Sequence, residues 1–142
     1  MDDYYKKYEI DCTRIRRENG IILDEFTEWL QAKQLSNATI KNHVNNADFY
    51  TNEFLLYDSA IEAKEGASQI GMFLGYWFIR KAAWSSVNQI KCNVSSLKKF
   101  YTFMYEKNYI SYEQLDDLNN IIKEETPDWI AAMERYDEQA RF

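Results

Sequence analysis

Four glycines and a single proline in 142 residues leave this chain short of tight turns. Glycine reaches positive φ without a Cβ clash, and proline pre-sets φ for the second position of a turn, so turn-rich folds draw on both. An all-β domain needs such a turn roughly every ten residues, and here the supply is missing. The expected class is therefore all-α. Apolar residues make up 46% and aromatics 16%, enough to bury a proper core and far from the make-up of a disordered chain. A single helical domain over 1–142 is the expected organisation.

Apolar spacing places the helices. Tyr5, Tyr8, Cys12 and Ile15 recur at three and four, predicting a first helix over 3–18 that Asn19-Gly20 then breaks. A second, about 21–33, carries Ile22, Phe26, Trp29 and Leu30 on one side and Asp24, Glu25 and Glu28 on the other. Ser36 is a good N-cap for a third helix, about 37–55, with Ile40, Val44, Ala47, Tyr50 and Phe54 inward. After a polar connection at 57–67, Ser68 is expected to cap a fourth helix reaching Lys81. Ile70, Phe73, Leu74, Trp77 and Phe78 make it apolar almost all round, and Gly71 and Gly75 permit close helix contact. Ser85 or Ser86 starts the next, to about Glu106, with Val87, Ile90, Val94, Leu97, Tyr101 and Met104 as its core stripe, widened by Phe100 and Tyr105. Ser111 with Gln114 forms a capping-box pattern for a helix at about 112–124. Thr126-Pro127-Asp128 reads as the start of a last one to about Gln139, with Trp129, Met133 and Tyr136 inward.

Most familiar chemistries lack their residues. No run of about 18 apolar residues exists, and the N-terminal MDDYYKKYEI has no signal-peptide core, so no membrane partner and a cytoplasmic location are expected. Cys12 and Cys92 stand alone, without Cys or His at ligand spacing. Glu113, Asp116, Asp117, Glu124 and Glu125 read as solvated helix faces rather than a cation site, since Mg²⁺ or Ca²⁺ needs converging oxygens. Histidine-dependent catalysis would fall to His43 alone, expected on an exposed turn. No glycine-rich phosphate loop is present. No enzyme activity, cofactor or metal is expected.

Charge is where the chain becomes specific. Its net −6 counts against nucleic acid, but residues 80–107 carry six basic and one acidic side chain, whereas 108–142 carry three and nine. Along the helix in that basic segment, Asn88, Lys91, Ser95, Lys98 and Thr102 form a polar stripe about 100° from the core stripe. Lys99 projects further round. Lys91, Ser95, Lys98 and Lys99 are thus candidate phosphate contacts, joined by Lys41 if the fold brings the two helices together. Lysines on the wet side of an amphipathic helix equally serve solubility.

The segments FTEWLQAKQLSNATIKNHVNNADFYTNEFL (26–55) and WSSVNQIKCNVSSLKKFYTFMYEKNYI (84–110) together resemble the N-terminal core-binding, or SAM-like, domain of tyrosine recombinases and phage integrases. The likeness rests on the order of the LS-x-x-TI and S-x-LKKFY pieces and covers about residues 20–112. It implies a compact helical bundle clasping duplex DNA. Contacts would come from Thr39, Lys41, Asn42 and His43 at the start of one helix and from Lys91, Ser95, Lys98 and Lys99 on the late helix, mostly to phosphates. An extra N-terminal helix and two acidic C-terminal helices, at 113–142, would be additions to that bundle.

The family's catalytic domain, with its Arg, His-x-x-Arg and Tyr nucleophile, has no counterpart after residue 112, so strand cleavage by this chain alone is not expected. The resemblance implies a DNA-binding accessory to, or relic of, a site-specific recombination or integration system. The competing expectation is a helical protein–protein module, with a recombinase as one conceivable partner, that does not touch DNA. The acidic C-terminal helices would either cap the bundle or mask its basic helix.

Overall fold

A computed structural model describes residues 2–140, and every regular element among them is helical. The chain divides into two compact units, 1–66 and 67–142.

In the first unit one uninterrupted helix, α1, spans Asp2–Ala32. The expected break at Asn19-Gly20 is not there. The buried stripe runs Tyr8, Cys12, Ile15, Asn19, Ile22, Phe26, Leu30 at steps of three and four, and Asn19 occupies its turn of that stripe, only 2% exposed. Its amide donates to Asn52 Oδ1 at 2.8 Å and to the Thr51 carbonyl at 3.4 Å. Tertiary bonding of the asparagine thus outweighs its helix-breaking preference and the ~1 kcal/mol cost of the neighbouring helical Gly20. Tyr5 lies outside the core at 62% exposure.

Helix α2, Asn37–Asp48, starts at the expected cap, with the Thr39 N–H donating to Ser36 Oγ at 3.2 Å. It continues through a π turn, Phe49–Phe54. There the Leu55 N–H reaches back five residues to Tyr50 O at 3.0 Å, while the Thr51 carbonyl that an α pattern would give it accepts from Asn19. The Tyr8 hydroxyl bonds the Leu56 carbonyl, the Tyr50 hydroxyl donates to Gly66 O at 2.6 Å, and Arg14 pairs with Glu62 at 3.1 Å. Cys12, Ile15 and Leu56, with Tyr8 and Ala60 packed against them, make a small core under this connection.

The second unit opens on a 3₁₀ turn, Ala67–Gln69, so Ser68 lies within that turn rather than capping a helix. Then come Ile70–Met72, a π turn at Phe73–Trp77 and Phe78–Lys81, together α3. Helix α4, Val87–Glu106, is capped by Ser86, whose Oγ accepts from the Gln89 N–H at 3.0 Å. It ends in a left-handed Asn108 (φ 64°). The Tyr109 N–H bonds Met104 O at 2.8 Å and the Asn108 N–H bonds Tyr105 O at 3.0 Å, the paired bonds of a Schellman ending.

Helix α5, Tyr112–Ala140, carries the expected capping box, with the Ser111 N–H on Gln114 Oε1 at 2.9 Å and the Gln114 N–H on Ser111 Oγ at 3.2 Å. It passes straight through Pro127, so the two expected acidic helices are one. Thr126, read as a cap, instead returns its hydroxyl to the Ile122 carbonyl one turn back. The buried stripe Leu115, Leu118, Ile122, Trp129, Met133 keeps helical register across the proline and packs α5 against α3 and α4. Gly71 and Gly75 make the expected close contact: a Cβ on Gly75 would stand 3.0 Å from Trp129 Cδ1, and one on Gly71 3.2 Å from Glu125 Oε1.

Candidate nucleic-acid interface

The eight expected contact residues fall four to a unit, and each set has its own geometry. At the start of α2, Lys41 and Asn42 are exposed. Thr39 is half-buried inside the cap: its N–H donates to Ser36 Oγ at 3.2 Å and its hydroxyl accepts from the Ser36 hydroxyl at 2.9 Å. The Ile40 N–H is also engaged, on Ser36 O at 2.9 Å. Two amides of the first turn are therefore already bonded and do not point at a ligand. His43, expected on an exposed turn, is buried at 9% exposure. Its place in register between Ile40 and Ala47 puts it on the inner stripe, a signal present in the spacing but overridden by its polar neighbours Lys41 and Asn42.

In the second unit, α4 separates its faces cleanly. Ile90, Leu97, Phe100, Tyr101, Phe103 and Met104 are buried. Asn93 and Ser96 are buried with them, Asn93 donating to the Gln89 carbonyl at 2.8 Å. Burial lifts the Tyr101 hydroxyl far above the ordinary tyrosine range, as expected of a phenolate excluded from low dielectric. These rings belong to the core and leave no face for a base to stack on. Tyr105 departs from the expected stripe: it is 38% exposed and lies edge-on to Tyr112, with centroids 5.8 Å apart.

On the opposite side Lys91, Ser95 and Lys98 are exposed and Lys99 half-buried. Seven residues of helix separate Lys91 from Lys98, so they sit about 10 Å apart along one edge. No carboxylate among the described residues lies within ion-pairing distance of Lys91, Lys98 or Lys99. The acidic α5 packs on α4 through its apolar stripe, and no ion pair ties it to this edge among the described residues.

Among the described residues no three His, Cys, Asp or Glu side chains converge on a point that could hold a metal ion, and no helix is long and apolar enough to cross a membrane. Both cysteines are free thiols, Cys12 buried and Cys92 exposed. No protein-family model, curated protein or solved structure matches the chain.

Proposed function

We propose that this chain is a non-catalytic DNA-binding module that contacts duplex phosphates, accessory to or relic of a site-specific recombination or integration system of the tyrosine-recombinase kind. The observation carrying this reading is the lysine edge of α4, three ammonium groups with no carboxylate partner among the described residues, on a chain whose net charge is negative. An unpaired row of cations favours a polyanion, because phosphate contacts release condensed counterions. Ser95, between Lys91 and Lys98, adds a hydroxyl suited to a phosphate oxygen. Lys41 and Asn42 at the start of α2 are further contacts in this reading, while Thr39 and His43 serve the fold. The core-binding resemblance in LSNATI and SSLKKFY supports the same two helices. Free thiols agree with a reducing, cytoplasmic setting.

The test is fluorescence anisotropy of a labelled duplex at low salt, with the native protein and a Lys91/Lys98/Lys99→Glu variant. Binding by the native chain that is lost in the variant is expected. Absence of binding by the native chain, or equal binding by both, would refute the reading.

A second reading, a protein–protein module, draws on α1, where Tyr4, Tyr5, Ile10 and Ile21 are 60–74% exposed. Its discriminating outcome is capture of a recombinase by a native chain that leaves duplex DNA unbound.

A further inference from the structure

We propose a second anion site, a phosphate-binding cleft between α3 and the C-terminal half of α5, lined by Tyr76, Arg80, Arg135, Tyr136 and Gln139. It shares no residue with the lysine edge of α4 and stands whether or not that edge binds DNA. The cleft measures about 200 Å³, room for a phosphate group with part of whatever carries it.

Arg80 is held in place from one side. Its Cζ lies 4.0 Å from the Tyr76 ring centroid and 5.9 Å from that of Tyr136, and its Nη1 donates to the Tyr76 carbonyl at 3.4 Å. A guanidinium stacked this way is oriented by the rings and keeps its remaining N–H groups for an external acceptor. Arg135 enters the same cleft from α5.

Residues 108–142 carry nine acidic side chains against three basic, yet no carboxylate lines this cleft among the described residues. Glu138, one turn from Arg135 on α5, makes no ion pair with it, and neither arginine has an ion pair among the described residues. Two guanidinium groups lining one cleft concentrate positive charge there, which favours an anion. Planar forks approaching from two helices match the several oxygens of a phosphate better than the two of a carboxylate. The phenol of Tyr136 and the amide of Gln139 add neutral donors at the same opening.

The experiment is a side-chain NMR titration following the Nε–Hε signals of Arg80 and Arg135 at fixed ionic strength, balanced with chloride. Inorganic phosphate, a thymidine dinucleotide and acetate form separate arms. Both arginine signals should move saturably with phosphate, and Arg80→Gln or Arg135→Gln should weaken binding at least about fivefold. Arg135→Lys, which keeps the charge and loses the fork, should fall in between. Circular dichroism verifies that each variant is folded, and the Lys91/Lys98/Lys99→Glu variant should bind phosphate as the native chain does. Saturation by inorganic phosphate alone assigns a small phosphate ligand, and saturation by the dinucleotide as well assigns a nucleic-acid phosphate. No saturable shift, an equal response to acetate, or binding indifferent to Arg135→Gln would overturn the proposal.

Discussion

Replacing Gly75 by alanine sets two effects of opposite sign against each other. Within a helix the change should stabilise by about 1 kcal/mol, because glycine loses more backbone freedom on folding than alanine. At this position the new Cβ would lie 3.0 Å from Trp129 Cδ1 and 3.3 Å from Nε1, inside the ~3.5–4.0 Å optimum for carbon contacts. The indole is 3% exposed and is packed on α3 by the stripe that holds α5, so it cannot swing away freely. Overpacking of this kind costs about 1–3 kcal/mol, leaving a net loss of about 1 kcal/mol, or ~3–5 °C in Tm for a chain of this length. Gly20→Ala is the matched control: Gly20 is helical and nothing lies within 4 Å of its Cβ position, so it should gain about 0.5–1 kcal/mol. Urea melts of the two variants should move in opposite directions. Shortening the indole in a Gly75→Ala/Trp129→Phe pair should recover part of the loss as a non-additive coupling. A Gly75→Ala variant as stabilised as Gly20→Ala would refute the close packing of α5 on α3.

Pro127→Ala tests whether α5 is one helix. In a continuous helix the alanine supplies the N–H that proline lacks and should stabilise by about 1–3 kcal/mol in a thermal melt, whereas a proline beginning a new helix would leave the melt unchanged or lower it. Acid sensitivity should trace in part to Glu62, whose carboxyl is held below its ordinary 4.5 chiefly by the hydrogen bond from Arg14, with Lys64 adding to it. A depressed folded-state pKa contributes stability above the unfolded value and loses it as pH falls through the folded one. Glu62→Gln should therefore be less stable than the native chain at pH 7 and lose that difference as pH falls below the ordinary carboxylate value and through the folded one in urea melts; a difference independent of pH would contradict the pairing.

The caps at Ser36 and Ser111 and the amphipathic stripes were legible because they depend on neighbours a turn away, whereas the caps expected at Ser68 and Thr126 fall inside a 3₁₀ turn and a continuous helix. Ser36, the Ser111–Gln114 box, the late helix with its lysine edge, and the Gly71–Gly75 contact all stand in the structure as the spacing predicts. Local punctuation misled where a side chain had a distant partner. Asn19 breaks a helix only if its amide has nothing better to do, and Asn52 and Thr51 lie 33 and 32 residues away. Thr126-Pro127 resembles a start, yet the inward stripe from Ile122 to Trp129 never loses register. Continuity of an apolar stripe across an apparent breaker was the usable signal in both cases. The π turns at Phe49–Phe54 and Phe73–Trp77 leave no such mark, since a one-residue widening follows from which carbonyl is taken by an outside donor. His43 read as exposed because Lys41 and Asn42 beside it are, although its helical phase is that of Ile40 and Ala47.

The most direct measurement of the DNA-binding claim is the salt dependence of duplex affinity for the native chain and for Lys98→Gln. With three to five phosphates neutralised, log affinity should fall against log salt with a slope of about −3 to −4.5, and loss of one phosphate contact should flatten that slope by about 0.9. A native chain that leaves duplex DNA unbound at low salt, or a Lys98→Gln slope equal to the native one, would contradict the account.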